Sequence, residues 1–310
     1  MIDLNTKASQ INNILQEYLP EETKEFGDIT EAMSYSVLAG GKRLRAIMSI
    51  ESFRLFNNDS DMEKMLVHPF AAAIEFIHAY SLVHDDLPSM DNDMYRRGIL
   101  TTHAKYGHAM GVLTGDALLN YAFETVTGTL KSLEKLRGEV VPELYARVSN
   151  AANILFTKAG YSGMIGGQVL DINFPNDPNT DKGLLKLRLL KMYELKTSNL
   201  FRAALCAGAA LAGASDEDLK KLDSFGYNLG LAFQIDDDIL DETATFEQLG
   251  KDIGSDKKNN KLTICTLLGI DAAKDLSREK LELAAATLET LPGNKEFFND
   301  LIEYLSGRKK

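Results

Sequence analysis

The stretch VHPFAAAIEFIHAYSLVHDDLPSMD, residues 67–91, decides how the chain is read. It runs apolar from Val67, shows no strand-like alternation, and ends in Asp85, Asp86 and Asp91. An uninterrupted run of this length and composition argues for a helix. Pro88 ends or bends that helix, so the place of Asp91 does not follow from helical arithmetic. His78 and Asp85 lie two turns apart and share a face. A second stretch, FQIDDDILD at 233–241, repeats the theme in the other half of the chain. There Gln234, Asp237 and Asp241 are spaced to fall on one helical stripe.

Aspartates on the interior stripe of an apolar helix are costly unless they are paired or bind metal. Hard carboxylate oxygens without histidine or thiolate partners suit magnesium, which keeps waters and bridges to substrate phosphates. One isolated DDxxD is ordinarily a solvated acidic face or a helix cap. Two of them, each embedded in apolar sequence, are harder to read that way. Glu75-Phe-Ile-His78 is formally a di-iron fragment, but that chemistry needs a second copy, and the sequence has none.

Working outward, helical periodicity continues nearly end to end, broken at Pro20, Asn57–Ser60, Pro88, Pro142 and Asn173–Lys182. The chain has 310 residues with 45% apolar and 25% charged, seven prolines and no tryptophan, which predicts an all-α globular protein. No interior segment reads as a linker, so residues 1–310 are expected to form a single domain. A new helix is expected from about Asp181, after the loop 174–181, and a charged loop spans Gly250 to Lys261. The apolar run Ala203–Ala214, about twelve residues, is short of the roughly twenty that span a bilayer. It reads as a buried alanine-rich helix.

A net charge of −11 gives nucleic acid or an anionic membrane little attraction. Cys206 and Cys265 have no disulfide or zinc spacing, and MIDLNTKASQ lacks the basic start of a secretory signal, so a reducing cytoplasmic setting is expected.

The basic residues indicate which anion is expected. Gly40-Gly41-Lys42-Arg43-Leu44-Arg45 sets two glycines before three cations, with Lys42 and Arg45 expected on neighbouring helical positions. Arg96-Arg97 follows the first acidic cluster, Lys196-Thr197 opens a later helical turn, and Lys251 and Lys261 bracket the charged loop. Arginine grips phosphate bidentately and lysine acts as a point charge. Two anionic groups could thus sit side by side, one on metal and one on arginine.

The runs GGKRLR, HxxxxxxDDxxxxD with RRG, GDALL (Gly115–Leu119), GGQxxD (Gly166–Asp171), KT, FQxxDDxxD and GKxxGSD…KxT occur in a characteristic order. From roughly Ala39 to Thr263 the chain resembles the short-chain trans-isoprenyl diphosphate synthases, and is most similar to bacterial farnesyl diphosphate synthases. The resemblance implies a large helical bundle around a central cavity, the type I isoprenoid synthase fold, and a homodimer. It implies Mg2+, three ions, with Asp85 and Asp91 binding two, Asp237 a third, and Asp86, Asp238 and Asp241 in support. Arg96, Lys196, Lys251 and Lys261 would reach the allylic diphosphate. Isopentenyl diphosphate would be gripped by Lys42, Arg45, His78 and Arg97. Oxygen dipoles at Lys196, Thr197 and Gln234 would stabilise an allylic cation, and the released diphosphate would take the proton.

Away from the resemblance, His78 is an ordinary core histidine, and Gln168 and Asp171 read equally well as a helix–helix hydrogen-bond pair. Ala46 and Leu100 stand where many relatives have proline, and Asn92 interrupts an acidic run. Product length turns on Tyr80, about 7.5 Å deeper than Asp85 along an ideal helix. Ideal geometry aims Ser81 at the site better than Tyr80. Relatives with an aromatic here and an insertion like Pro88-Ser89 commonly stop at C15. The alternatives are a geranylgeranyl (C20) synthase, a terpene cyclase with one diphosphate, and a non-catalytic partner subunit, whose mark would be lost aspartates or cations.

Overall fold

The computed structural model describes residues 3–136, 141–174, 180–243 and 262–307. Asp3 caps α1 (Leu4–Tyr18) by accepting the Thr6 N–H, and the helix stops ahead of Pro20. After α2 (Gly27–Leu38), Gly40, Gly41 and Arg43 take positive φ values of 90°, 122° and 52° and launch α3 (Leu44–Arg54). Lys42 therefore precedes the helix, a correction to its expected helical position. A short α4 (Ser60–Met62), a π-helical turn at Glu63–Val67 and α5 (His68–Asp85) form one rod. By length and composition this rod could cross a bilayer, yet 78% of its apolar window is buried inside the fold. It is a core helix.

The described residues contain one departure from all-α structure, a hairpin of β1 (Tyr95–Arg96) and β2 (Ile99–Leu100). Its two-residue turn, Arg97-Gly98, has φ values of 53° and 80°, the mirror-type turn that suits strand twist. Arginine at the first of these positions hid the signal. The chain continues through α6 (Thr102–Tyr106), α7 (His108–Leu133), α8 (Val141–Ala159), which carries Pro142 in its first turn, and α9 (Met164–Ile172). Asp181 caps α10 (Lys182–Tyr193), as expected, through the Leu184 N–H at 3.0 Å. A second π turn at Glu194–Ser198 leads into α11 (Asn199–Ala212) and α12 (Asp216–Thr243). The described chain ends with α13 (Ile264–Leu268), α14 (Ile270–Glu289) and α15 (Glu296–Ser306).

Helix α11 is the axis, packed on α3, α8 and α12. Its small residues allow the approach: a Cβ on Gly208 would lie 2.0 Å from the Ser49 carbonyl oxygen of α3. Phe70, Phe76 and Ile77 of α5 are fully buried between α3 and α7. Burial of each such side chain stabilises by about 1.5–3 kcal/mol. The main core runs from Ile11 to Leu305, and a smaller cluster around Tyr193, Ile235 and Ile264 underlies the second aspartate stretch. Between them opens a cavity, walled by α3, α5, α9, the second π turn and α12.

Candidate active site

The cavity has a volume of about 1400 Å3. Asp85, the last residue of α5, and Asp237 of α12 line it together with Gln234, so two of the three residues of the predicted α12 stripe face inward, while Asp241 does not line the cavity. Burial pushes the Asp85 carboxyl up to about 6, with Lys196 opposing and the charges of Asp91 and Asp86 adding to the rise. The turn after Pro88 settles what helical arithmetic could not: the Asp91 N–H donates to the Asp85 carbonyl at 2.9 Å, folding Asp91 back beside Asp85. Asp241 has a buried Oδ1 with no hydrogen-bond partner among the described residues.

Two aspartates of the motifs are placed otherwise. Asp86, 3% exposed, takes Arg96 bidentately, with Nη2 to Oδ1 at 2.6 Å and Nε to Oδ2 at 3.0 Å. It does not line the cavity, and Arg96, which does, reaches it with its charge already met. Asp238, 4% exposed, accepts from the Tyr193 hydroxyl, from the Gln234 amide at 3.1 Å and from the Ile264 N–H at 3.3 Å. It orients Gln234 and ties down the start of α13. Neither residue lines the cavity, so any support they give a bound ion would pass through their partners or through water.

A magnesium site fits the rest. Asp85, Asp91, Asp237 and the orphaned oxygen of Asp241 are hard donors, and burial already penalises the bare charge of Asp85. Among the described residues no three acidic, histidine or cysteine side chains converge tightly enough to hold an ion alone. Substrate phosphate oxygens would complete the shell, as magnesium prefers.

The opposite wall is cationic. Arg45 lies 4.9 Å over the Phe201 ring, with Nη1 3.5 Å from His78 Nε2, and burial lowers its pKa to about 10. Burial, then Arg45, Arg97 and further arginines, holds His78 well below the usual histidine range, so it meets a ligand neutral. Arg97 donates to the Gly40 carbonyl from the hairpin turn. The second glycine, Gly41, holds a φ of 122° that an L side chain rarely adopts, and its bare Cα leaves room for that guanidinium. Lys42 is exposed at the mouth and donates to the Tyr304 hydroxyl at 2.6 Å. Arg43 instead turns inward to Glu75 at 3.3 Å, both nearly fully buried, so the formal Glu75-x-x-His78 is a structural ion pair with a histidine beside it.

Lys196 and Thr197 sit in the second π turn, a feature frequent at functional sites. Lys196 pairs with Asp171 at 2.6 Å, and Thr197 donates to Gln234 Oε1 at 2.7 Å. Gln168 and Asp171 thus do not pair with each other; Gln168 lines the cavity with a buried Oε1 that has no partner among the described residues. Tyr80 and Ser81 both line the cavity. The Tyr80 hydroxyl is buried without a partner among the described residues, whereas Ser81 Oγ donates to the His78 carbonyl at 2.9 Å. Lys251 and Lys261 lie outside the described residues.

Residues 27–301 match the family described as polyprenyl synthetase. The chain belongs to that family. The farnesyl diphosphate synthase of Micrococcus luteus is 37% identical over 298 residues, 96% of this chain and 94% of the relative. The geranylgeranyl diphosphate synthase of Cyanophora paradoxa is 38% identical over 261 residues, 84% and 80% of the two chains. The solved geranyltransferase of Helicobacter pylori, complexed with magnesium and isoprenyl diphosphate, superposes with a TM-score of 0.79 at 30% identity, covering 97% of this chain and 96% of that one. The chain is therefore a prenyltransferase with the all-α isoprenoid synthase fold.

Two further glycines of the motif runs mark close approaches. A Cβ on Gly167 would lie 2.2 Å from the Lys196 backbone nitrogen, so this glycine lets α9 touch the π turn. One on Gly115 would strike the His84 ring at 2.0 Å. The Ala46 N–H donates to Glu75 at 3.4 Å, a bond proline in its place could not make.

Proposed function

We propose that this prenyltransferase condenses isopentenyl diphosphate head to tail with dimethylallyl and then geranyl diphosphate, and stops at farnesyl diphosphate. The observation that carries the reading is how the cations are partnered. Arg43, Arg96 and Lys196 each meet a carboxylate, while Lys42, Arg45 and Arg97 rest on a phenol, an aromatic ring with a neutral histidine, and a carbonyl. Among the described residues these last three form no ion pair, so their charge is available to an anion. They face a wall carrying Asp85 and Asp237. One diphosphate fits the cations directly; the other fits the carboxylates only through a metal.

Asp85, Asp91 and Asp237 would hold magnesium, in three ions, with Asp241 in support. The bound metal would supply Lewis-acid neutralisation of the leaving diphosphate. Lys196, Lys251 and Lys261 would contact the same diphosphate. The Thr197 hydroxyl and the Gln234 amide oxygen, held by Asp238, present oxygen dipoles to a developing allylic cation. Leu200, Phe233 and Met164 line the same space and offer no nucleophile to quench it. The released diphosphate accepts the proton lost as the new double bond forms.

Tyr80 favours C15 over C20, since its partnerless hydroxyl and buried ring occupy cavity wall that a longer chain would need. A cytoplasmic homodimer completes the reading. Val112, Leu113 and Phe123 of α7, at 43%, 55% and 37% exposure, offer an apolar face for the second copy.

Calorimetry separates the two diphosphate sites. With chelator present, isopentenyl diphosphate should still bind and an unreactive thiolo analogue of the allylic diphosphate should not; added magnesium should restore the second alone. Equal metal dependence of both ligands contradicts the division.

A further inference from the structure

We infer that Tyr304, on the C-terminal helix, is a positioning residue for the metal-free diphosphate, acting by holding the Lys42 ammonium at the mouth of the cavity. The inference rests on the two-diphosphate reading above. Lys42 follows two positive-φ glycines and precedes α3, so no regular backbone fixes its flexible stem. What fixes it lies 262 positions away: Nζ donates to the Tyr304 hydroxyl at 2.6 Å and sits 5.3 Å from the ring centroid. Both residues line the cavity.

The tyrosine is itself held by packing. Around it on α15, Phe297, Phe298, Leu301 and Leu305 are buried, and the Phe298 ring meets Phe225 of α12 at 5.5 Å. A phenol suits this task better than a carboxylate would. It orients the ammonium without neutralising it. Ordering a long lysine before the ligand arrives lowers the entropy that binding must overcome. The docked C-terminal helix thereby becomes part of the affinity for the metal-free substrate.

The test is a double-mutant cycle of Tyr304→Phe and Lys42→Ala, with steady-state kinetics for both substrates and calorimetry with isopentenyl diphosphate in chelator. Tyr304→Phe keeps the ring and the packing and removes the hydroxyl. It should raise KM and Kd for isopentenyl diphosphate about five- to tenfold. The allylic KM should move less than twofold, with the loss falling on KM rather than kcat. In the Lys42→Ala background the same change should cost less than twofold. An unchanged isopentenyl diphosphate KM in Tyr304→Phe, equal shifts for both substrates, or a full effect without Lys42 would each overturn the inference. The wild type's own turnover of both diphosphates tests the underlying reading separately.

Discussion

Asp85 and Asp86 are neighbours in sequence and differ in fate, which sets the limit of what single residues disclose. The Asp85–Asp237 pairing across the cavity follows from helical spacing, because both stand on inward stripes of long helices. The diversion of Asp86 to Arg96 does not, because it depends on a two-residue hairpin whose turn begins with an arginine at positive φ. Asp238 was illegible for a similar reason: its partner Tyr193 arrives from α10 and its third donor from the start of α13. The raised Asp85 carboxyl has a consequence for stability. Its folded value, about 6, lies above the ordinary 3.8, so it stabilises fully below pH 3.8 and that contribution is lost as pH rises through about 6. In metal-free protein, urea unfolding of wild type against Asp85→Asn should therefore show the wild type losing on the order of 2 kcal/mol relative to the variant between pH 4 and pH 7. A difference that grows in the wild type's favour with pH would sink this. At the same scale, Tyr80→Ala should open the cavity wall and move product toward C20, read by chromatography. A folded, active variant that still stops at C15 removes Tyr80 from that role.

At the scale of elements, the helices were largely readable and their joints were not. The apolar run from Val67, the alanine-rich α11 and the Asp181 cap follow from periodicity and capping chemistry. The two π turns do not, since a one-residue widening leaves little trace in composition. The second of them matters because it aims Lys196 and Thr197, and it is wedged by α9 at Gly167. Gly167→Ala should force these backbones apart, costing about 1–3 kcal/mol of stability. It should also lower kcat more than either KM, which thermal melts and kinetics together would detect. A variant with wild-type melting and turnover would refute the wedge. The joint between α3 and α5 is the buried Arg43–Glu75 pair. Glu75→Gln leaves the guanidinium without its counter-charge and should cost about 3–5 kcal/mol by denaturant titration; a loss under 1 kcal/mol would mean the pair is dispensable.

For the whole molecule, the order of motifs along the chain carried more than any one of them, because a cavity between helices far apart in sequence needs donors from all its walls. The sequence disclosed most of those walls and missed the last, α15, where Tyr304 is a lone tyrosine in an amphipathic helix with no motif around it. The central claim is that one cavity brings a metal-held allylic diphosphate and a cation-held isopentenyl diphosphate together for carbon–carbon bond formation. Its most direct measurement is product analysis: purified protein with labelled isopentenyl diphosphate and dimethylallyl, geranyl or farnesyl diphosphate, with magnesium or with chelator, the products dephosphorylated and chromatographed. The account predicts label in farnesol from the first two starters, none extended from the third, and none at all with chelator or in a folded Asp85→Ala, Asp237→Ala double variant. Label incorporated without magnesium, near-normal turnover by the double variant, or C20 as the main wild-type product would contradict it.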